Sequence, residues 1–291
     1  MSNAAATFGS GSMHRGLIAM LRHIDPRVFY VFVAIFVIPV CLVVNPSRGI
    51  AYRYFRRQQG YGPLKAAWKT YVNHCLFSQV VIDKFAMYAG RKFKVEIEGY
   101  DHFLRLAEKE DGFVQMSAHI GNYEIAGYTL VAKTKRFNAL VFAGEKESVM
   151  MNRNKMFSHT NIRMIPVKQD MSHLFMINSA LADGEIVSIP ADRVIGSPKS
   201  IKKELLGIET RFPHGPFAVA TMRGMDVLAV NVMKTSWTAY KIYVTPLAYD
   251  KSLPRAKQID QLSTAYVKEQ ERMLRMYPEQ WYNYLDRKSV V

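Results

Sequence analysis

At 291 residues, 49% of them apolar, the chain is long enough for one large α/β domain and too apolar to be disordered. A formal net charge of +15 favours a polyanionic partner and does not choose among nucleic acid, an anionic membrane and an acidic protein or substrate. Two cysteines, Cys41 and Cys75, offer no disulfide framework and no metal-ligand spacing, so a reducing, cytosol-facing setting is the default.

Residues 1–12, "MSNAAATFGSGS", read as a leader or disordered tail. Residues 13–60 read as an N-terminal membrane-anchoring segment. Its centre, Val28 to Val44, carries no charge. As a helix it would measure roughly 25 Å, slightly short of the ~20 apolar residues of a full span. Pro39 would kink it. Arg15, Arg22 and Arg27 precede the run, and Arg48, Arg53, Arg56 and Arg57 follow it, so charge leaves its orientation weakly determined. The competing reading is a buried core helix. The favoured reading is a membrane anchor, either one tilted helix or a kinked helix set into one leaflet, and headgroup phosphates of membrane phospholipid then explain much of the basicity.

Residues 61–291 read as one α/β domain. Pro63 to Tyr88 has helical spacing, and "KFKVEIEG" (Lys92 to Gly99) alternates as a strand should. "GFVQMSA" (Gly112 to Ala118) is a buried strand, followed by a helix after Glu124. "NALVFAG" and "IRMIPV" are further strands. "HLFMINSALADG" is a helix closed by Gly184. "EIVSIPAD" (Glu185 to Asp192) is another buried strand. "DVLAVNVMK" and "AYKIYVTPL" form a neighbouring pair near the end of the sheet. "DQLSTAYVKEQERMLRMYP" is a terminal helix with Asp260 as its cap and a stop at Pro278. The expected fold is a mixed, largely parallel central sheet flanked by helices.

The chemistry concentrates in "FVQMSAHIGNYEIAGYTL", Phe113 to Leu130. His119 lies just past a buried strand, where active-site groups of α/β sheets gather. Gly121 permits a tight turn or a close ligand approach, and with Asn122 it is a candidate substrate contact. Glu124 in the first turn of a helix could turn back to His119. A carboxylate on one imidazole nitrogen leaves the other free to take a proton from a substrate hydroxyl. The competing reading is a capping histidine beside a first-turn acid.

"HIGNYE" is followed in order by "ADR" (Ala191 to Arg193), "RFPHGPFAVA" (Arg211 to Ala220) and "YPEQWYNYLDR". This pattern resembles the bacterial lipid A biosynthesis (late, secondary) acyltransferases, within the lysophospholipid acyltransferase superfamily. The resemblance runs from the apolar segment to about Arg287. It implies a transferase at the cytoplasmic face of the bacterial inner membrane. The acyl chain would pass from a thioester on acyl carrier protein or coenzyme A to a hydroxyl of a lipid acceptor. It implies His119 as general base, Glu124 as its partner acid and Asp192 as a catalytic acid. It also implies an arginine between the two motifs, Arg153 in "MNRNK" or else Arg163. Arg193, Pro213, Gly215 and Pro216 would bind substrate. Three departures stand out. Arg193 replaces the usual glutamine, the segment before "FPHGP" is less aromatic, and "PEQWYN" lacks a second aromatic two positions after Trp281.

A thioester is already activated, so no serine nucleophile is needed. The chain has no G-x-S-x-G elbow, Walker loop, G-x-G-x-x-G or H-E-x-x-H, and no bound cofactor or metal is expected. Backbone N–H groups of the "FPHGP" turn, or Arg153, are candidates to stabilise the oxyanion. Two other classes compete: an inactive membrane scaffold of the same fold, and a basic nucleic-acid binder. Against the latter, the basic residues are dispersed, they concentrate near the apolar segment, and no nucleic-acid reader motif occurs.

Overall fold

A computed structural model describes residues 11–45, 47–130, 132, 134–142, 151, 161–167, 170, 172–194 and 199–283. Most of the leader reading, residues 1–10, and Arg153 lie outside these.

Seven strands form the central sheet in the order β1-β9-β8-β2-β5-β3-β4. They are β1 (Lys94–Glu98), β2 (Phe113–Ser117), β3 (Phe137–Phe142), β4 (Ile162–Val167), β5 (Ile186–Pro190), β8 (Asp226–Ser236) and β9 (Ala239–Pro246). Every neighbouring pair is parallel except β8 and β9, so the sheet is mixed and largely parallel. β2 and β5 lie side by side near the middle. The two-residue period of a strand divides β2 between two cores. Val114 and Met116 pack with Phe217, Leu262, Tyr266 and Leu274 on one face. Phe113 packs with Phe103, Ile125 and Leu130 on the other.

The Val28–Val44 run belongs to a continuous helix, Pro26–Val44, begun by an Asp25 cap and a proline in the first turn. Its nineteen residues would span about 28 Å, close to the thickness of a bilayer core. It opens into a π-helical stretch, Val33–Val37, just before Pro39. Wider turns of this kind commonly accompany a proline's missing N–H. Its most apolar window is only 11% buried, which sets it apart from a core helix. Phe32, Ile35, Phe36 and Val40 are all more than half exposed. Its inner side packs on the Pro63–Tyr88 helix, where Tyr71 Oη donates to the Ala34 carbonyl at 3.1 Å. Further along the N-terminal segment, Tyr54 and Phe55 enter the main core.

Three sequence expectations need correction. The helix after Glu124 is a 3-10 turn, Tyr123–Ile125, followed by only Ala126–Thr129. Its apolar residues Ile125, Ala126 and Leu130 are drawn into the core, and the backbone leaves helical geometry at Leu130. The terminal helix begins earlier, at Arg255, so Asp260 lies inside it and accepts from Lys203 Nζ at 2.6 Å instead of capping. "FPHGP" is not a loop. Phe212 and Pro213 end β7 (Ile208–Pro213), and His214–Met222 is a helix. Proline in a first helical turn removes an N–H that has no intrahelical partner, so Pro216 is tolerated there. β7 pairs with β6 (Ser200–Leu205) in a separate antiparallel hairpin turning through Leu206 and Gly207, both at positive φ.

Candidate active site

The register between β2 and β5 builds the site. Ser117 is paired with Pro190, and the Ala191 N–H continues the ladder to the Ser117 carbonyl at 2.9 Å. Two residues further along each strand, His119 meets Asp192. Asp192 Oδ1 lies 2.7 Å from His119 Nδ1, and Oδ2 accepts the His119 backbone N–H at 2.9 Å. A carboxylate only accepts, so Nδ1 carries the proton and Nε2 is the nitrogen left to act as a base. Burial alone would push the Asp192 carboxyl up. The His119 ring, the Arg193 guanidinium and the His119 backbone N–H outweigh it and hold the carboxyl below its ordinary range. The carboxylate side chain is 7% exposed and the imidazole 17%, so the ring is the more accessible of the two.

The turn after His119 is locked from outside. Gly121 has φ +62°, and a Cβ there would lie 1.9 Å from the Val232 carbonyl oxygen. Its N–H bonds the Gln280 carbonyl at 2.8 Å, and the Asn122 N–H bonds Val232 O at 2.8 Å. The "PEQWYN" segment straps this turn. Tyr282 N–H donates to the His119 carbonyl at 3.0 Å, and Ile120 bridges Trp281. Asn73 Nδ2 holds the strap through the Glu279 and Trp281 carbonyls, at 2.7 and 2.9 Å.

Asn283 completes the arrangement. It donates to the Asp192 carbonyl at 2.9 Å and accepts from Arg193 Nε at 3.0 Å. The missing second aromatic is therefore a buried amide that joins both residues of the "DR" pair. Buried Tyr266 donates to the Ser117 carbonyl at 2.9 Å, behind the strand end that carries His119. The strap's motif hinted at Asn283. Nothing in the sequence singled out Tyr266.

The sequence suggested Glu124 as the acid on the imidazole. The ring nitrogen is bonded by Asp192, and Glu124 pairs with Lys84 Nζ at 2.6 Å. Glu124 sits inside the 3-10 turn Tyr123–Ile125, and its ion pair ties it to the Pro63–Tyr88 helix. Arg163 is displaced from the site. It is paired across β3 with Asn138, which stands opposite Val187 at the far end of β5. Five residues of strand separate Val187 from Asp192, about 16 Å along the axis. Pro213 and Pro216 are buried, and Gly215 is exposed at the start of its helix. Among the described residues, no group of three His, Cys, Asp or Glu side chains is placed to hold a metal ion.

The family profile described as bacterial lipid A biosynthesis acyltransferase matches residues 80–287, which include the site and its strap. The chain belongs to this family. As a family member it is an acyltransferase of lipid biosynthesis. No curated protein matches it. Among solved structures it is similar to the 1-acyl-sn-glycerophosphate (LPA) acyltransferase PlsC from Thermotoga maritima. The identity is 14% and the TM-score 0.39, over 88% of this chain and 97% of that one.

Proposed function

We propose that this acyltransferase is membrane-associated and moves a fatty acyl chain from an acyl thioester to a hydroxyl of a lipid acceptor of the lipid A type. Acyl carrier protein or coenzyme A carries the donor. The reaction takes place at the cytoplasmic face of a bacterial inner membrane, with the exposed apolar Pro26–Val44 helix in the bilayer. The observation that carries this reading is the His119–Asp192 pair at neighbouring strand ends.

His119 Nε2 takes the acceptor hydroxyl proton as the oxygen attacks the thioester carbonyl. The tetrahedral intermediate collapses, the carbon–sulfur bond breaks, and the departing thiolate takes the proton back from the imidazolium. Asp192 stabilises the ring while it is charged. General-base catalysis of this kind is worth about 100- to 10,000-fold. Arg193, fixed by Asn283, meets a phosphate of donor or acceptor, and Glu124 with Lys84 orients the acceptor beside the ring. The test is acyl transfer from a purified acyl thioester to lipid acceptor in vesicles, followed by mass spectrometry of the lipid. Wild-type protein should transfer and folded His119→Ala should not. Equal turnover by the two would end this reading.

A further inference from the structure

A second buried charge cluster lies apart from the His119–Asp192 pair. Asp83 and Lys234 form an ion pair with side chains 0% and 2% exposed. Tyr30 and Tyr240 donate their hydroxyls to the two Asp83 oxygens. Asn122 Nδ2 donates to Tyr240 Oη at 3.3 Å. The Lys234 ammonium also lies 4.9 Å and 4.8 Å from the ring centres of Tyr30 and Tyr240. The five residues come from five places: the apolar Pro26–Val44 helix, the Pro63–Tyr88 helix, β8, β9 and the turn after His119.

A buried ion pair is weak evidence of cohesion. Buried ion pairs replaced by apolar residues of similar volume are often neutral or stabilising. Burial pushes the Asp83 carboxyl up and the Lys234 ammonium down, so desolvation works against the charged pair. What the pair supplies is direction, since each hydrogen bond fixes one element against another. Two more contacts lead to the same turn. Gln280 bonds both the N–H and the carbonyl of Lys234, at 2.8 and 2.7 Å, and its own carbonyl holds Gly121. Lys84, next to Asp83 on the helix, pairs with Glu124.

We propose that Tyr30, Asp83, Lys234 and Tyr240 are positioning residues that tie the apolar N-terminal helix to Asn122 and so set the geometry of the His119–Glu124 turn for acyl transfer. The inference rests on the reading of His119 as the base. It makes the apolar helix part of the catalytic geometry as well as an anchor.

The experiment is a double-mutant cycle in full-length protein, in phospholipid vesicles, with an acyl thioester donor. Tyr30→Phe removes one hydroxyl, and kcat should fall on the order of 10-fold at unchanged donor KM, as expected for a lost hydrogen bond to a charged group. Asn122, expected from sequence to contact substrate, is instead 3% exposed with its amide on Tyr240, so Asn122→Ala in the same background should add little, because both changes cut one connection. Tyr71→Phe is the control: it loses a bond to the same apolar helix outside the cluster and should keep wild-type kcat. The paired change Asp83→Leu with Lys234→Met should fold and lower kcat like Tyr30→Phe. Additive losses, equal losses in Tyr30→Phe and Tyr71→Phe, or wild-type kcat in the folded paired variant would each overturn the inference. Wild-type turnover in His119→Ala would instead sink the reading of the site on which it rests.

Discussion

The two ends of the central sheet each bury an ionisable side chain, and they treat it differently. At the N-terminal end, Lys135 is 7% exposed and donates to the carbonyls of Glu110, Asp111 and Gly184 at 3.1, 3.1 and 2.7 Å. An ammonium has three donors, and all three are used on backbone, so nothing is left for a substrate. At the C-terminal end, Asp192 uses its oxygens on the ring and N–H of one residue, and the ring keeps a second nitrogen. A groove also opens at the Lys135 end, lined by Lys109, Glu110, Arg136, Asp183 and Glu185, and among the described residues no His–Asp pair lines it. A groove by itself is no reason to place chemistry at that end. A buried carboxylate whose imidazole partner keeps a second nitrogen is the reason we propose it at the other.

The sharpest way to break this contrast is His119→Ala. Turnover should fall by about 100- to 10,000-fold with folding intact, because in the proposed mechanism the residue moves a proton and does not support the core. Asp192→Asn comes next. An amide can donate to Nδ1 and so favour the wrong tautomer, and kcat should drop on the order of 100-fold or more. The same variant has an acid signature. The Asp192 carboxyl is held below its unfolded value of about 3.9, so its contribution to stability is present above that pH and is lost as pH falls through the folded value. The gap in melting temperature between wild type and Asp192→Asn should therefore close as the carboxyl is protonated, below about pH 4. Calorimetry across pH would check this, and a gap that stays fully open well below about pH 4 would contradict it.

Glu124→Gln should cost less, roughly 10-fold in kcat/KM, since it removes a charge beside the site and leaves the Asp192 bond to the ring in place. Steady-state kinetics with the acceptor varied would show it. Lys135→Met should leave turnover per folded molecule unchanged. It should lower the melting temperature by about 2–8 °C, from roughly 1–3 kcal/mol of unpaired carbonyl groups. A loss of turnover there would erase the distinction between the ends.

Much of this fold was legible because its elements are strongly patterned. The Pro63–Tyr88 helix carries its proline start and helical spacing in plain sequence, and β2 and β5 are short apolar runs with clear ends. The hairpin β6–β7 was not legible, since Leu206 stands where a turn residue such as Asn or Asp would announce a positive φ. "FPHGP" misled in the opposite sense, because proline and glycine mark both loops and helix starts. His119 and Asp192 were each visible as strand-end residues. Their bond was not, because 73 residues separate them and strand register joins them. Proximity in sequence favoured Glu124. The Asp83–Lys234 cluster was invisible for the same reason, its members being scattered from Tyr30 to Tyr240.

The most direct test of the central claim is the tautomer of His119, read from nitrogen chemical shifts of the protein labelled with 15N at its imidazoles. His119→Ala assigns the signal. The neutral ring should carry its proton on Nδ1, shared with Asp192, and leave a bare Nε2 to accept the acceptor hydroxyl proton. Asp192→Asn should shift the population towards the other tautomer. A wild-type ring with its proton on Nε2 and a bare Nδ1 would contradict the account.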